Sequence, residues 1–274
     1  MAAAAVLLGL LPTTLAVLGS NSRETSLLAL RRPFLALLLA IGAPAVSPLR
    51  STQHADHAQI LTQGEDRITI PSLTTFNAAL VACAQYLFAC ASAFNVAHVT
   101  WQLCILTVNS FSPGAVFYPA LWVATAVLVN IGGYLSTLLR TRVQMTSEPY
   151  EKVPRTALLP PGAGRPDVKS KKRTGAMAWL LREATPCVQH DQSRIQVRKE
   201  SWKFIFISWL TSVGAMSNIL LGTLSLSGAL YISTGDAIVV IARFFGSAML
   251  CRIILNFEMA GMRRTVDVFD EIVD

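Results

Sequence analysis

Charge is scarce in this 274-residue sequence: Lys, Arg, Asp and Glu together make up 14% of it, against 53% hydrophobic residues. Soluble domains carry about 25% charged residues, so a globular surface would be left largely uncovered, and a water-soluble globular enzyme is excluded. The same apolar excess excludes an intrinsically disordered chain. Cysteine is sparse as well, five residues with none in a close pair, which excludes a small disulfide-stapled secreted protein. Together with a mean hydropathy of +0.49, these absences leave an integral membrane protein.

Catalytic signatures are missing too. There is no Gly-rich phosphate loop, no Gly-x-Ser-x-Gly elbow, no Cys-x-x-Cys and no His-Glu-x-x-His. Four histidines, His54, His57, His98 and His190, are too few for the multi-histidine di-iron cluster of a membrane desaturase. His54 and His57 flank Asp56 at a metal-compatible spacing, but two His in a polar segment read as a solvated loop, and neither a metal nor another cofactor is expected. Cys83, Cys90 and Cys251 read as small apolar groups packed within spans. Cys104 falls outside the spans, and Cys187, near Trp179, is a weak candidate for acylation. No Asn-x-Ser/Thr sequon, prenylation box or lysine retention signal specifies the membrane, so plasma membrane and endomembrane both stand.

What is present is a set of long uncharged runs, and a spanning helix needs about 20 such residues. Residues 1–22 carry no charge and read as an uncleaved first span near 2–20, because the basic n-region and small-residue cleavage site of a signal peptide are lacking. Residues 68–139 carry no charge over 72 positions, enough for two spans, near 73–95 and 116–139. Pro113-Gly114 marks the turn between them, and His98, Trp101 and Gln102 read as an interfacial segment. The run at 33–48, short and interrupted by Pro, reads as interfacial or re-entrant. Two more spans lie within 204–258, the last starting at the hydroxyl-rich Ser233-Thr234-Gly235-Asp236 cap. The expected fold is an all-α integral membrane protein, a bundle of about five transmembrane helices, with six if 33–48 crosses. Its parts are an N-terminal membrane region 1–139, a basic, partly disordered cytosolic loop 140–203, a C-terminal membrane region 204–258 and an acidic cytosolic tail 259–274.

Charge placement orients this bundle. With the N-terminus outside or lumenal and the C-terminus cytosolic, the cytosolic segments hold Arg23, Arg31, Arg32, Arg50, Arg67, fourteen Lys/Arg between Arg140 and Lys203, Arg263 and Arg264, which is 21 of the 23. The external loops near 96–115 and 224–235 contain none, a strong positive-inside pattern. The loop 140–203 sets those fourteen bases against six acids. Its first half has the Pro/Gly composition of a linker. Its second half places Lys169, Lys171, Lys172 and Arg173 beside Trp179, a candidate membrane-surface patch for anionic lipid or a cytosolic protein. A plainly basic loop is the simpler reading, and nucleic acid is not an expected partner because interleaved aromatics are lacking. The acidic tail either docks on this loop or is a solvated end.

The last span carries the costly residues. At 100° per residue, Asp236, Arg243, Ser247, Cys251 and Glu258 share one face, with Arg252 and Asn256 opposite. Asp236, Arg243, Ser247 and Glu258 form a candidate intramembrane polar site, since a charge at mid-bilayer costs about 2.5–3.5 kcal/mol and calls for a polar partner. Asp236 is a candidate partner for Arg243, as are Asn77, Gln85, Asn130, Ser217 and Asn218 on other spans. Arg252 and Glu258 are also placed to snorkel to the interface.

Three stretches, Gly9-Leu-Leu-Pro12, Arg31-Arg32-Pro33 with its Leu-rich run, and Cys251-Arg252-Ile-Ile-Leu-Asn-Phe-Glu258-Met-Ala-Gly261-Met-Arg263, resemble uncharacterised multi-pass membrane proteins of filamentous fungi. The resemblance implies a shared helical membrane fold and supplies no cofactor, activity or functional residue. The residues themselves favour a non-enzymatic accessory or scaffold protein. A small transporter or channel subunit using the Asp236/Arg243/Glu258 face comes second, with homo-oligomerisation making up for few spans. A membrane-embedded enzyme on a lipid-like substrate comes third.

Overall fold

The computed structural model describes residues 2–47, 75–110, 114–145, 183–187, 193–197 and 201–270, with only the backbone at 75, 142–145, 193–197 and 264–270. His54, His57 and the patch Lys169, Lys171, Lys172, Arg173 and Trp179 lie outside the described residues. Seven helices run in the order α1 Ala2–Leu18, α2 Ser22–Arg31, α3 Pro33–Gly42, α4 Thr75–Leu106, α5 Tyr118–Arg140, α6 Trp202–Ser227 and α7 Thr234–Thr265 among the described residues. Four of these, α4 to α7, are long and apolar enough to cross a membrane, and α1 with α2 makes a fifth candidate, bent by 56°. The fold is an all-α helical membrane bundle.

Each break in helix has a local cause. Pro12 inside α1 cannot donate the backbone hydrogen bond to Leu8 O; the following Thr13 and Thr14 hydroxyls donate to Leu10 O at 2.8 and 3.0 Å, satisfying their own polar groups within the helix. Asn21 caps α2, its Oδ1 accepting from Arg23 N at 3.3 Å, with Glu24 in the first turn favoured by the helix dipole. Pro33 opens α3, the position where its missing N–H costs nothing. At the start of α7, Ser233 Oγ accepts from Asp236 N at 3.1 Å and donates to Asp236 Oδ2 at 2.7 Å, a reciprocal cap of the expected kind.

The helix α4 differs from the sequence expectation. It continues through 95 without a break to Leu106, so His98, Trp101 and Gln102 ride on the same helix as the preceding span. Its small residues Ala78, Ala82, Ala89 and Ala93 are all buried, which lets α3 and α7 approach closely. Gly42 at the end of α3 shows how closely: a Cβ there would lie 2.6 Å from Cys251 Sγ and 3.1 Å from Ser92 Cβ. Ten residues long, α3 extends about 15 Å and covers only part of the height of α4. Between α5 and α6 the same principle operates at Gly222, where a Cβ would meet Trp122 Nε1 at 2.5 Å and Pro12 Cγ at 2.9 Å. Trp122 is fully buried there, its ring 5.6 Å from that of Phe244.

Short strands tie the helix ends together on opposite sides. On one side, β1 (Val108–Asn109) pairs antiparallel with β4 (Ala229–Leu230), joining the α4–α5 and α6–α7 connections. On the other, β2 (Thr141–Met145), β3 (Ser193–Val197) and β5 (Val266–Asp270) form a sheet in the order β2-β3-β5, with β2–β3 antiparallel and β3–β5 parallel. Ser193 faces Val266 and Val197 faces Asp270 in the parallel pair. The tail after α7 therefore pairs, through its backbone, with the segment leading out of the basic loop.

Candidate functional site

Helix α7 carries two polar clusters, and α4 supplies partners to both because the two helices run antiparallel in a steady register. Gln85 meets Glu258, Asn95 meets Ser247, and His98 meets Arg243.

The first cluster is sealed. Arg32, between α2 and α3, and Glu258 are both 0% exposed and lie 2.8 Å apart, Nη1 to Oε1. Arg32 Nη1 also donates to Gln85 Oε1 at 2.6 Å, and Gln85 Nε2 donates to Glu258 Oε1 at 2.6 Å. The other carboxylate oxygen of Glu258 accepts from Cys187 N at 3.0 Å. Arg32 Nε donates to Glu183 O at 2.9 Å, and its guanidinium lies 5.2 Å from the centre of the Tyr86 ring. Glu183 Oε1 in turn accepts from Tyr86 OH at 2.7 Å and from Leu35 N at 3.0 Å. That last bond caps α3 from another part of the chain, at a helix start where Arg32 supplies no side-chain cap. Removing two ions from water is compensated only when geometry and extra hydrogen bonds are good; both carboxylate oxygens of Glu258 are bonded, while Arg32 Nη2 and Glu183 Oε2 are buried with no hydrogen-bond partner among the described residues.

Residues 183–187 belong to the basic loop, yet they are inserted under the bundle: Glu183 and Cys187 are buried. The weak acylation expectation at Cys187 therefore meets a thiol with no exposure. Burial pushes that thiol well above its ordinary value, and the Glu258 carboxylate acts in the same direction. Deprotonation and alkylation are both disfavoured.

The second cluster lies about 22 Å along α7 from the first, fifteen residues at 1.5 Å each. Arg243 Nε donates to Asn95 Oδ1 at 2.8 Å and Nη1 to Gln102 Oε1 at 3.0 Å, while Nη2 is 3.0 Å from His98 Nδ1. Asn95 Nδ2 donates back to Arg243 O at 3.0 Å and to Ser247 Oγ at 2.8 Å. None of the guanidinium's partners among the described residues is a carboxylate. Arg243 is half-buried and His98 is exposed.

The four residues of the proposed polar stripe are thus divided. Arg243 and Ser247 share the second cluster, Glu258 lies in the first, and Asp236 is exposed at the α7 cap. Arg252 is ion-paired: its Nη1 lies 2.6 Å from Glu24 Oε2 on α2. Of the partners considered for Arg243, Gln85 serves Arg32, Asn130 bonds its own helix at Ala126 O, and Asn218 donates to Trp122 O and Thr125 Oγ1. Sequence reasoning missed Arg32, Tyr86 and Glu183 as members of a site and paired Gln85 with Arg243 in place of Arg32 and Glu258. Along the chain Arg32 reads as one more cytosolic charge, and its position directly before the Pro-started apolar run of α3 is the signal that it begins a buried helix.

No group of three or more His, Cys, Asp or Glu able to hold a metal ion occurs among the described residues. Comparison with protein-family models, with curated protein sequences and with solved structures gives no match. The fold and the two clusters define the class as a polytopic helical membrane protein.

Proposed function

We propose that this membrane protein is a non-enzymatic accessory or scaffold protein that presents its basic loop to a cytosolic protein or to anionic lipid. The observation that carries the reading is the latch at Glu183–Cys187: the loop is pinned to the bundle by Glu183, Tyr86, Leu35 and Glu258. A pinned loop presents its remaining basic residues from a defined base. The orientation inferred from charge is supported by the strand pairs. The β1–β4 side joins the two connections poor in Lys and Arg, and the β2-β3-β5 side gathers the ends of the basic loop. With that orientation the β2-β3-β5 face is cytosolic, α1 with α2 forms the fifth span, and α3 is a re-entrant element. The transporter and enzyme readings have less support, because Asp236, Arg243 and Glu258 lie in three separate environments.

The test is mild-detergent purification of the tagged protein from its own cells, followed by native mass spectrometry. A stoichiometric protein or anionic lipid is expected on the wild type and lost when Lys169, Lys171, Lys172 and Arg173 are changed to Gln. Retention of a different small molecule, unaffected by those changes, together with a solute flux abolished by Arg243→Leu, would replace this reading with transport.

A further inference from the structure

Arg243 is a cation inside an apolar helix with no carboxylate against it among the described residues. An intramembrane charge is expected to have a partner of opposite sign or a wet cavity, and Arg32 and Arg252 each have a carboxylate. Arg243 instead has three neutral acceptors, Asn95, Gln102 and His98. They fix the plane of the guanidinium without neutralising it.

The cluster also opens outward. Phe94, His98, Trp101 and Ile105 follow one another at helical spacing along one face of α4, and the three apolar members are 73%, 66% and 61% exposed. His98 is exposed within that stripe and stacked on Phe94, ring centres 6.2 Å apart. The depth suits a headgroup. Gln102 is four residues from the end of α4, about 6 Å by helical rise. Side chains on α7 lean toward its N-terminus, which carries the Arg243 guanidinium toward the same surface. An exposed Trp at this level is the usual companion of lipid headgroups.

The bonding leaves suitable donors. A guanidinium has five N–H groups, and three are engaged, so one N–H on each terminal nitrogen is free. Arg243 Nη2 can only donate to His98 Nδ1, which leaves the ring's Nε2 edge to offer a third donor on the lipid-facing side. Two guanidinium N–H groups beside an imidazole N–H match the oxygens of a phosphate.

We propose that Arg243, held by Asn95 and Gln102 and assisted by His98, binds the phosphate of an anionic phospholipid in the leaflet on the β1–β4 side, with acyl chains along Phe94, Trp101 and Ile105. This site is separate from the basic loop and does not depend on the accessory reading. Full-length protein, delipidated in mild detergent, is titrated with phosphatidylglycerol and followed by native mass spectrometry. Affinity is expected to fall about fivefold in Arg243→Gln and to fall also in His98→Ala, whose exposed position leaves the packing intact. Arg252→Gln, whose cation is already paired, is expected to bind like the wild type. Equal affinity of the wild type and His98→Ala would overturn the proposal even if Arg243→Gln failed to fold. So would inorganic phosphate binding as tightly as the lipid, an equal loss for phosphatidylcholine, or a photo-crosslinker at position 98 capturing a partner helix in place of lipid.

Discussion

The Glu258 end and the Arg243 end of α7 solve the same problem in opposite ways. At the Glu258 end, a buried Arg meets a buried carboxylate, and Gln85, Cys187 N and the Glu183 segment close over them. At the Arg243 end the cation is held by three neutral side chains and faces outward through His98. A sealed pair makes removal of either partner costly, because the survivor is left charged in a low dielectric. An open cation among neutral groups can be deleted at smaller cost. Its charge then has value chiefly for something that comes from outside the chain.

The largest effect should come from breaking the sealed end asymmetrically. Arg32→Met is expected to lose about 3–5 kcal/mol of stability, read from reversible unfolding in mixed micelles. Arg32→Met combined with Glu258→Met should recover more than half of that. A double-variant loss equal to the sum of the Arg32→Met and Glu258→Met losses would show that the pair is not coupled.

Packing, by contrast, is the lever available toward the other end. Gly222→Ala places a methyl group against Trp122 and Pro12 and should cost about 1–3 kcal/mol. Gly246→Ala, with nothing within 4 Å of the added Cβ, should be neutral or gain up to about 1 kcal/mol from helix propensity. A thermal shift of the same sign and size for both would remove the distinction.

The latch is sharpened by chemistry at Cys187. In the wild type, maleimide labelling at Cys187 should stay slow through neutral pH and increase only as the medium becomes alkaline, since burial holds the thiol pKa above its ordinary value. Glu183→Ala removes the α3 cap, a loss of about 1 kcal/mol, and should speed labelling at Cys187 on the order of tenfold by releasing the segment. Mass mapping of the modified peptide decides it, and unchanged labelling would mean that Glu183 does not hold the segment down. At the partly exposed pair, Arg252→Gln or Glu24→Gln should cost less than breaking the sealed pair, read in the same unfolding experiment, because the charges are 21% and 14% exposed and the survivor is less deeply buried.

Much of the architecture is legible without coordinates. The uncharged runs locate α1 and α4 to α7, and the reciprocal cap at Ser233 and Asp236 appears where the hydroxyl-rich stretch predicts a helix start. The end of α4 is less legible. His98 and Gln102 look like the residues of an interface when read along the chain, and the fold adds that they are lateral partners of Arg243 on a helix that nothing between 95 and 106 breaks. The helical wheel of α7 places Arg243 and Glu258 on one side, which is a statement about angle. It carries no information about what stands opposite, and the two residues meet different neighbours some 22 Å apart along the axis.

Composition and the spacing of charge by themselves determined that this chain crosses a membrane several times, because apolar length and the cost of burying charge are summed along the sequence and need no knowledge of neighbours. The pairings were decided only by tertiary structure. Arg32 finds Glu258 across 226 positions, and Glu183 caps a helix 148 positions away. Whether a charge is sealed or left open depends on which helices pack beside it, and close packing of α3, α4 and α7 through Gly42 and the alanines of α4 brings those groups within reach.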